Sequence, residues 1–431
     1  MVDVRPFRGI RYTSWVLKDA DQLVCPPYDM GPLLRRVYRA RHPYNAVWLE
    51  VPEGGADDTA QNNRYTRARD TFNRWMEDRV LVRDLTPVLY VLRQRVAFNG
   101  REHTRLALLA VVRLEDYDRK AILPHEHTMP GPIRDRMDLV RACRANFSPI
   151  MALYRDPGHE LGSLIAEQAR GEPVLTVHDT EGNPCDLWIV SEPATMVRIR
   201  RMLEPGVLYI ADGHHRYEAA LAYRNEMRQS LGYSYTGHEA FNYVLMSLVS
   251  CEDPGMLVLP YHRVLSDLDD TQVAAVLGRI GEVFDTTPFH ARSDAMPFQL
   301  VETLESCGVR RFSAGMVLSD GSAHLLSVKQ GASLGGSGML ADFDTWLLHE
   351  KVLRPALGDR LADHLSYLYE DYLAMEMVRS GESQMAFFMR SVPMSLFESA
   401  VSRGLRLPPK STYFYPKLPT GLVFNSLLGD V

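Results

Sequence analysis

Short apolar runs alternate along this chain with longer stretches in which apolar residues recur every three or four positions, the pattern of strands interleaved with helices. NAVWLEV (45 to 51) and PVLYVLRQRV (87 to 96) read as strands, and residues 59 to 79 between them as helix. Asn99-Gly100 separates the second run from RLALLAVVRL (105 to 114) and is a hairpin dipeptide, so part of the sheet is expected to be antiparallel. Further strands are expected at 148 to 154, 185 to 191, 207 to 212 and 241 to 249, with helical stretches between them.

Beyond residue 255, MLVLPYHRVL, a helix near 270 to 281, and the runs RFSAGMVL and AHLLSVK paired around Asp320-Gly321 predict a separate α+β lobe. QGASLGGSG (330 to 338) reads as a loop, and it lacks the Lys-Ser/Thr ending of a P-loop. The expected fold is therefore α/β (mixed α+β), with mixed parallel and antiparallel sheets and flanking helices. Residues 1 to 250 are expected to form an α/β region. Residues 251 to 431 are expected to form the α+β lobe, its C-terminal Lys-Ser-Thr-Tyr motif packing back on the site.

The most polar strand end is in VLYIADGHHRYEAALAY (207 to 223), where a buried strand runs into Asp-Gly-His-His-Arg and then turns helical. Gly213 permits a sharp turn. The first helical turn offers free N–H groups and a partial positive charge to an anion, to which Arg216 can add a bidentate contact. Asp212 stands at the carboxyl end of the strand, where open α/β sheets place ligands. The duller reading is a helix cap at Asp212 with exposed histidines.

A second cluster is LPHEHTMPGPIRDRMDLVRACRANFSP (123 to 149). Glu126 suits a general base if partial burial raises its pKa, and His125 suits orienting it or doing the same work. Asp135, Arg136, Arg141, Arg144 and Asn146 suit holding phosphates or a carboxylate, the alternatives being a surface His-Glu hydrogen bond and a solvated basic helix. In VCPPYDM (24 to 30), prolines present Tyr28 and Asp29 from a stiff loop, for a substrate amine or metal or as an Asx-type turn; Asn45 lies in the neighbouring HPYNAVWLE. In LPPKSTYFYPKLPTGLVF (407 to 424), Lys410 and Lys417 bracket hydroxyls and aromatics suited to an anion or nucleotide base, or the segment is a C-terminal strand on the core. Zinc held by His125, His127, His214 and His215 has neither HExxH nor a cysteine pair behind it.

Composition narrows the class. A chain of 431 residues with 46% hydrophobic and 24% charged residues is an ordinary globular protein of two or three domains. Its net charge of −6 argues against a general nucleic-acid-binding surface. Five scattered cysteines without a CxxC pair suit a reducing compartment, so a cytoplasmic location is expected. The N-terminal MVDVRPFRGIRYTSW has no continuous apolar segment of a secretory signal, and no apolar run reaches the ~18 residues of a membrane span.

PFRGIRY, CPPYD, HPYNAVWLE, LPHEHT with DRMDLVRA and NFSPIMALY, YIADGHHRYEAAL, LPYHRVL and PPKSTYFYPKLPTGL, in this order, resemble a bacterial and archaeal family catalogued as domain of unknown function 1015. The resemblance spans nearly the whole chain, and it departs from the family at His127, where arginine is commoner. The Asp-Gly-His-x-Arg segment also resembles the ParB and sulfiredoxin superfamily, which includes nucleotide-dependent free serine kinases. That likeness implies a ParB/sulfiredoxin-like centre in which Asp212, His214 and Arg216 face a transferred phosphoryl group and Glu126 deprotonates the acceptor hydroxyl. Gly213 stands before His214 where sulfiredoxins place a reactive cysteine, so sulfiredoxin chemistry is not implied.

These readings predict a phosphotransferase using ATP or ADP with magnesium to phosphorylate the hydroxyl of a small metabolite, serine or a serine-like amino acid. Glu126, His125, Asp212 and His214 are assigned to catalysis, with Asp212 as the magnesium ligand. Gly213, His215, Arg216, Arg136, Lys410 and Lys417 are assigned to phosphate or nucleotide, and Tyr28, Asp29, Asn45 and Asn146 to substrate. The partners expected are small molecules, with no membrane, nucleic acid disfavoured and a homodimer left open. The alternatives are a ParB-like nucleotide-operated switch with a protein or DNA partner, and a phosphatase acting on a phosphorylated amino acid.

Overall fold

The computed structural model of this chain describes residues 1–28, 30–290, 296–306, 313–330 and 338–431. Two compact units make it up: Met1–Leu257 together with Pro416–Val431, and Val258–Tyr415. The segment from Pro416 onward thus belongs with the first unit, whereas the division at residue 250 places it in the C-terminal lobe.

The first unit is built on a nine-stranded mixed sheet. Its strands are β1 (Val4–Arg5), β2 (Leu89–Phe98), β3 (Arg101–Arg113), β4 (Ile122–Leu123), β5 (Ile150–Tyr154), β6 (Leu175–His178), β7 (Pro184–Val190), β8 (Leu208–Asp212) and β9 (Tyr243–Ser250). They lie in the order β4-β8-β5-β9-β3-β2-β7-β6, with β1 beside β3. The pairs β8–β4 and β9–β5 are parallel and the others antiparallel. Strands β2 and β3 form the hairpin expected from Asn99-Gly100, whose φ angles of 49° and 71° are the two left-handed positions that such a turn requires.

Among the helices of this unit are α1 (Pro32–Arg41), α2 (Val47–Glu50), α3 (Arg64–Glu77), α4 (Pro130–Cys143), α5 (Glu160–Gln168), α6 (Pro193–Leu203) and α7 (His214–Leu231). Leu161 and Leu164 of α5, Ile199 and Leu203 of α6, and Tyr217 and Ala220 of α7 bury one sheet face against Val91, Leu108, Ile150, Ala152, Ile210 and Met246. A second core joins α2, α3 and α4 through Val47, Leu49, Phe72, Trp75 and Leu139 to Phe147 and Phe424.

One expected strand is instead a helix, because NAVWLEV contains α2. An apolar run this short satisfies either element, and a side chain settles the matter locally. Asn45 Oδ1 accepts the Val47 N–H at 2.9 Å in an Asx turn, while its Nδ2 donates to the carbonyls of Gln22 at 2.6 Å and Val24 at 3.0 Å.

The second unit carries a six-stranded sheet of β10 (His262–Leu265), β11 (Phe284–Pro288), β12 (Ser313–Leu318), β13 (Ala323–Val328), β14 (Leu365–Leu368) and β15 (Met385–Met389). The order is β11-β13-β12-β15-β10-β14, antiparallel throughout. The Asp320-Gly321 hairpin joins β12 to β13, and the helix expected near 270 to 281 is α8 (Asp270–Val283). Positions 331 to 337 of the glycine-rich stretch lie outside the described residues.

Candidate functional site

The end of β8 holds an irregularity that sets which way Asp212 faces. Tyr209 pairs with Leu153 and Ile210 with Ala152, yet Asp212, not Ala211, pairs with Met151. Because side chains alternate faces along a strand, this bulge moves Asp212 off the apolar face of Ile210 and Ala152 and onto the face of Met151. Gly213 follows with φ 97°, and α7 starts at His214. A Cβ at Gly213 would stand 3.0 to 3.1 Å from the Arg216 guanidinium, so crowding and backbone angle both require glycine.

Asp212 is not the helix cap. The N-cap is Gly213, without a side-chain cap, and the carboxylate of Asp212 is taken by two cations. Arg216 Nη2 donates to Oδ2 at 2.6 Å and Lys417 Nζ donates to Oδ1 at 2.6 Å. Arg216 Nη1 also donates to the Pro149 carbonyl at 2.6 Å. Burial works to raise the Asp212 pKa, but the charges of Lys417 and Arg216 outweigh it and hold the carboxyl well below the usual carboxylate range.

Lys417 is itself positioned from the sheet. Gln94 Nε2 donates to its carbonyl at 3.0 Å, and Gln94 Oε1 accepts from the fully buried Arg105. Burial lowers the Arg105 pKa to about 10, which leaves the guanidinium charged at neutral pH.

The loop before α4 lies along the first turns of α7. The His125 backbone N–H donates to His214 Nε2 at 3.2 Å, so a neutral His214 carries its proton on Nδ1, which is 3.9 Å from Glu126 Oε2. His125 Nδ1 donates to the Ile210 carbonyl at 2.8 Å, fixing that ring against β8. His215 Nε2 accepts the Met129 N–H at 3.0 Å, and its Nδ1 lies 3.3 Å from the Tyr28 hydroxyl. The exposed His127 stands between them on the same loop. Among the described residues no group of three or more His, Cys, Asp or Glu side chains is arranged to hold a metal ion. His214 and His215 spend their Nε2 atoms on backbone donors, which removes the zinc arrangement. Both oxygens of Asp212 are engaged by cations, so the magnesium expected there does not fit the donor set.

A buried layer that the sequence reading missed lies next to this turn. Glu50, 2% exposed, accepts from Arg136 Nη1 at 3.2 Å, and the same nitrogen donates to the Glu50 carbonyl at 2.8 Å. Burial raises the Glu50 pKa, opposed by the charges of Arg136 and Arg216 and by a hydrogen bond from Ser148. Ser148 Oγ is in turn 2.5 Å from Thr420 Oγ1. Arg136 Nε and Nη2 reach Asp135 Oδ2 at 2.8 and 2.6 Å, and its guanidinium lies over the Tyr28 ring, 4.8 Å from the centroid. Glu50 ends the motif HPYNAVWLE but was hidden in a run read as strand. Ser148 and Thr420 have no local signal at all, since only the fold pairs them.

Two residues expected at the substrate, Asn45 and Asn146, are spent on backbone and side-chain bonds within the fold. Asn45 is fully buried with its amide spent on the backbone, and Asn146 Oδ1 accepts from Leu245 N and Asn425 Nδ2, both at 3.1 Å. Lys410 belongs to the second unit, where its carbonyl accepts from Arg263 Nη2 at 3.1 Å and its Nζ lies over the Tyr261 ring. Asp29 lies outside the described residues.

The model of a family described as "Protein of unknown function (DUF1015)" matches residues 4–352. Among solved structures, a conserved hypothetical protein from Pyrococcus furiosus is 14% identical, with 73% of this chain and 93% of that chain covered, at a TM-score of 0.36. A free serine kinase in complex with AMP is 12% identical over 72% of this chain and 86% of that chain, at 0.35. SbnI with a C-terminal truncation, from Staphylococcus aureus, is 10% identical over 73% and 86%, at 0.34. No curated protein matches the chain in sequence. Scores of this size leave the chemistry to be read from the residues.

Proposed function

The chain belongs to the DUF1015 family, and from that premise we propose that it is a phosphotransferase, moving a phosphoryl group from ATP or ADP to the hydroxyl of a small metabolite such as serine. One observation carries this reading: Arg216 and Lys417 both stand 2.6 Å from Asp212 at a left-handed turn that opens the 18-residue helix α7. Phosphoryl transfer needs positioning and charge neutralisation more than covalent chemistry. Two cations and an uncapped helix start supply the neutralisation. An arriving phosphate takes the cations from Asp212, and the released carboxylate is then available to orient the acceptor hydroxyl.

Glu126 is assigned the role of base. His214 Nδ1 stands 3.9 Å from the Glu126 carboxylate, and the His125 N–H fixes the His214 ring.

The test incubates the purified protein with magnesium, ATP or ADP, and a panel of hydroxyl amino acids, followed by phosphorus NMR. A new phosphomonoester signal that needs both nucleotide and acceptor is expected. Nucleotide left intact across the whole panel would overturn the proposal.

A further inference from the structure

Beside the buried Glu50–Arg136 pair lies an open cleft of about 300 Å3, lined by Tyr28, Arg35, Arg64, Gly131, Asp135 and Arg136 among others. Its charges do not cancel. Asp135 accepts from Arg64 Nη2 at 2.6 Å, from the Tyr65 hydroxyl at 2.8 Å and from Arg136, while Glu50 accepts from Arg136. Two carboxylates therefore answer two arginines. The third, Arg35, donates through Nε to the Met30 carbonyl at 2.8 Å, and its terminal nitrogens have no acceptor among the described residues. Its neighbour one turn on, Arg39, is paired with Glu53, and burial first, then the charge of Arg35, lowers the Arg39 pKa.

The wall opposite is the start of α4, a 14-residue helix whose N-cap, Met129, offers no side-chain cap. Its first turn holds two prolines, Pro130 and Pro132, so Gly131, which lines the cleft, supplies the one free N–H there among the described residues, facing the same space as Arg35 together with the positive helix end. An uncancelled guanidinium, an uncapped helix start and the Tyr28 ring together match a planar or tetrahedral oxyanion on a small body.

We propose that this cleft binds the oxyanion of a small metabolite, a carboxylate or a phosphate monoester, with Arg35 and the Gly131 N–H at the start of α4 as its principal contacts. Tyr28 links the cleft to α7 through His215, so the bound molecule is the phosphoryl acceptor, a clause that rests on the function proposed above.

Isothermal titration of the full chain with sodium malonate and, separately, with inorganic phosphate tests the site. Because phosphate is also expected at the Asp212 turn, whichever probe still binds Lys417→Ala names the source of the oxyanion in the cleft. Arg35→Ala is expected to weaken that binding at least about tenfold, with Arg35→Lys restoring part of it and circular dichroism unchanged. Lys417→Ala, which disables the turn at Asp212, is expected to leave the cleft isotherm in place. Equal affinity in the wild type and Arg35→Ala, or loss of binding in Lys417→Ala alone, would overturn the assignment, as would no heat with either probe. Failure of phosphoryl transfer in the NMR assay would leave the Arg35 dependence standing, so the two proposals fail separately.

Discussion

Asp212 is held ionised by one near neighbour, Arg216, and by one far along the chain, Lys417. A carboxyl with a depressed folded-state pKa adds stability above its unfolded value, near ~3.9, and loses it as pH falls through the lower folded value. The contribution is therefore constant across neutral and mildly acid pH. The difference in melting temperature between the wild type and Asp212→Asn should be flat from pH 8 to 5 and shrink only in stronger acid. A difference that closed between pH 7 and 6 would contradict the assignment. The same substitution, and Lys417→Ala, should each lower phosphoryl transfer by at least about a hundredfold, the scale on which one charge-stabilising group acts. Gly213→Ala should lose about 1–3 kcal/mol of stability in denaturant titration, because its φ of 97° and the contact with Arg216 both oppose a Cβ. All four residues of Asp-Gly-His-x-Arg were legible as a turn at a strand end. That Arg216 and Lys417 share one carboxylate was not, since Lys417 lies far along the chain.

At the scale of elements, most strands and the helices near 59 to 79 and 270 to 281 were legible. The hairpin at Asn99-Gly100 and the strands β2, β3, β5, β7, β8 and β9 follow from apolar runs and one turn dipeptide. The run NAVWLEV misled because its apolar content fits either element, and the deciding contacts of Asn45 reach back to Gln22 and Val24. Asn45→Ala should therefore act on stability, not on substrate. A loss of about 2–4 kcal/mol is expected in chemical denaturation, since it strands buried backbone groups at about 1–3 kcal/mol each. The KM for the acceptor should be unchanged in the folded fraction; a raised KM with intact stability would return Asn45 to the substrate site. The bulge at Ala211 was equally hidden. Only pairing with β5 shows that Asp212 has been turned to the face of Met151.

At the scale of the molecule, the two units should respond differently to acid. In the second unit His349 is buried beside Arg263 and Arg354; burial first, then those charges, pulls its pKa down from 6.5 to about 3. Arg263 Nε donates to His349 Nε2 at 3.3 Å, which a protonated ring cannot accept. Between these two pH values the unfolded chain takes up a proton that the folded unit refuses, so stability falls as pH falls, by roughly 1 kcal/mol per pH unit. Hydrogen exchange in β10, β12 and β15 should quicken, after correction for intrinsic rates, between pH 6 and 4. His349→Gln should flatten that slope, and an unchanged slope in the variant would remove His349 as the cause.

Apolar periodicity, turn dipeptides and a run of polar residues at a strand end depend only on near neighbours. They determined by themselves the mixed sheet, the hairpins and the place of the Asp-Gly-His-His-Arg turn. Which distant cation meets Asp212, why Glu50 is buried beside Arg136, and that Pro416–Val431 returns to the first unit depend on pairings 86 residues apart or more. Those were decided only by the tertiary structure, because a salt bridge or a strand pairing leaves its signal in space and none in local spacing.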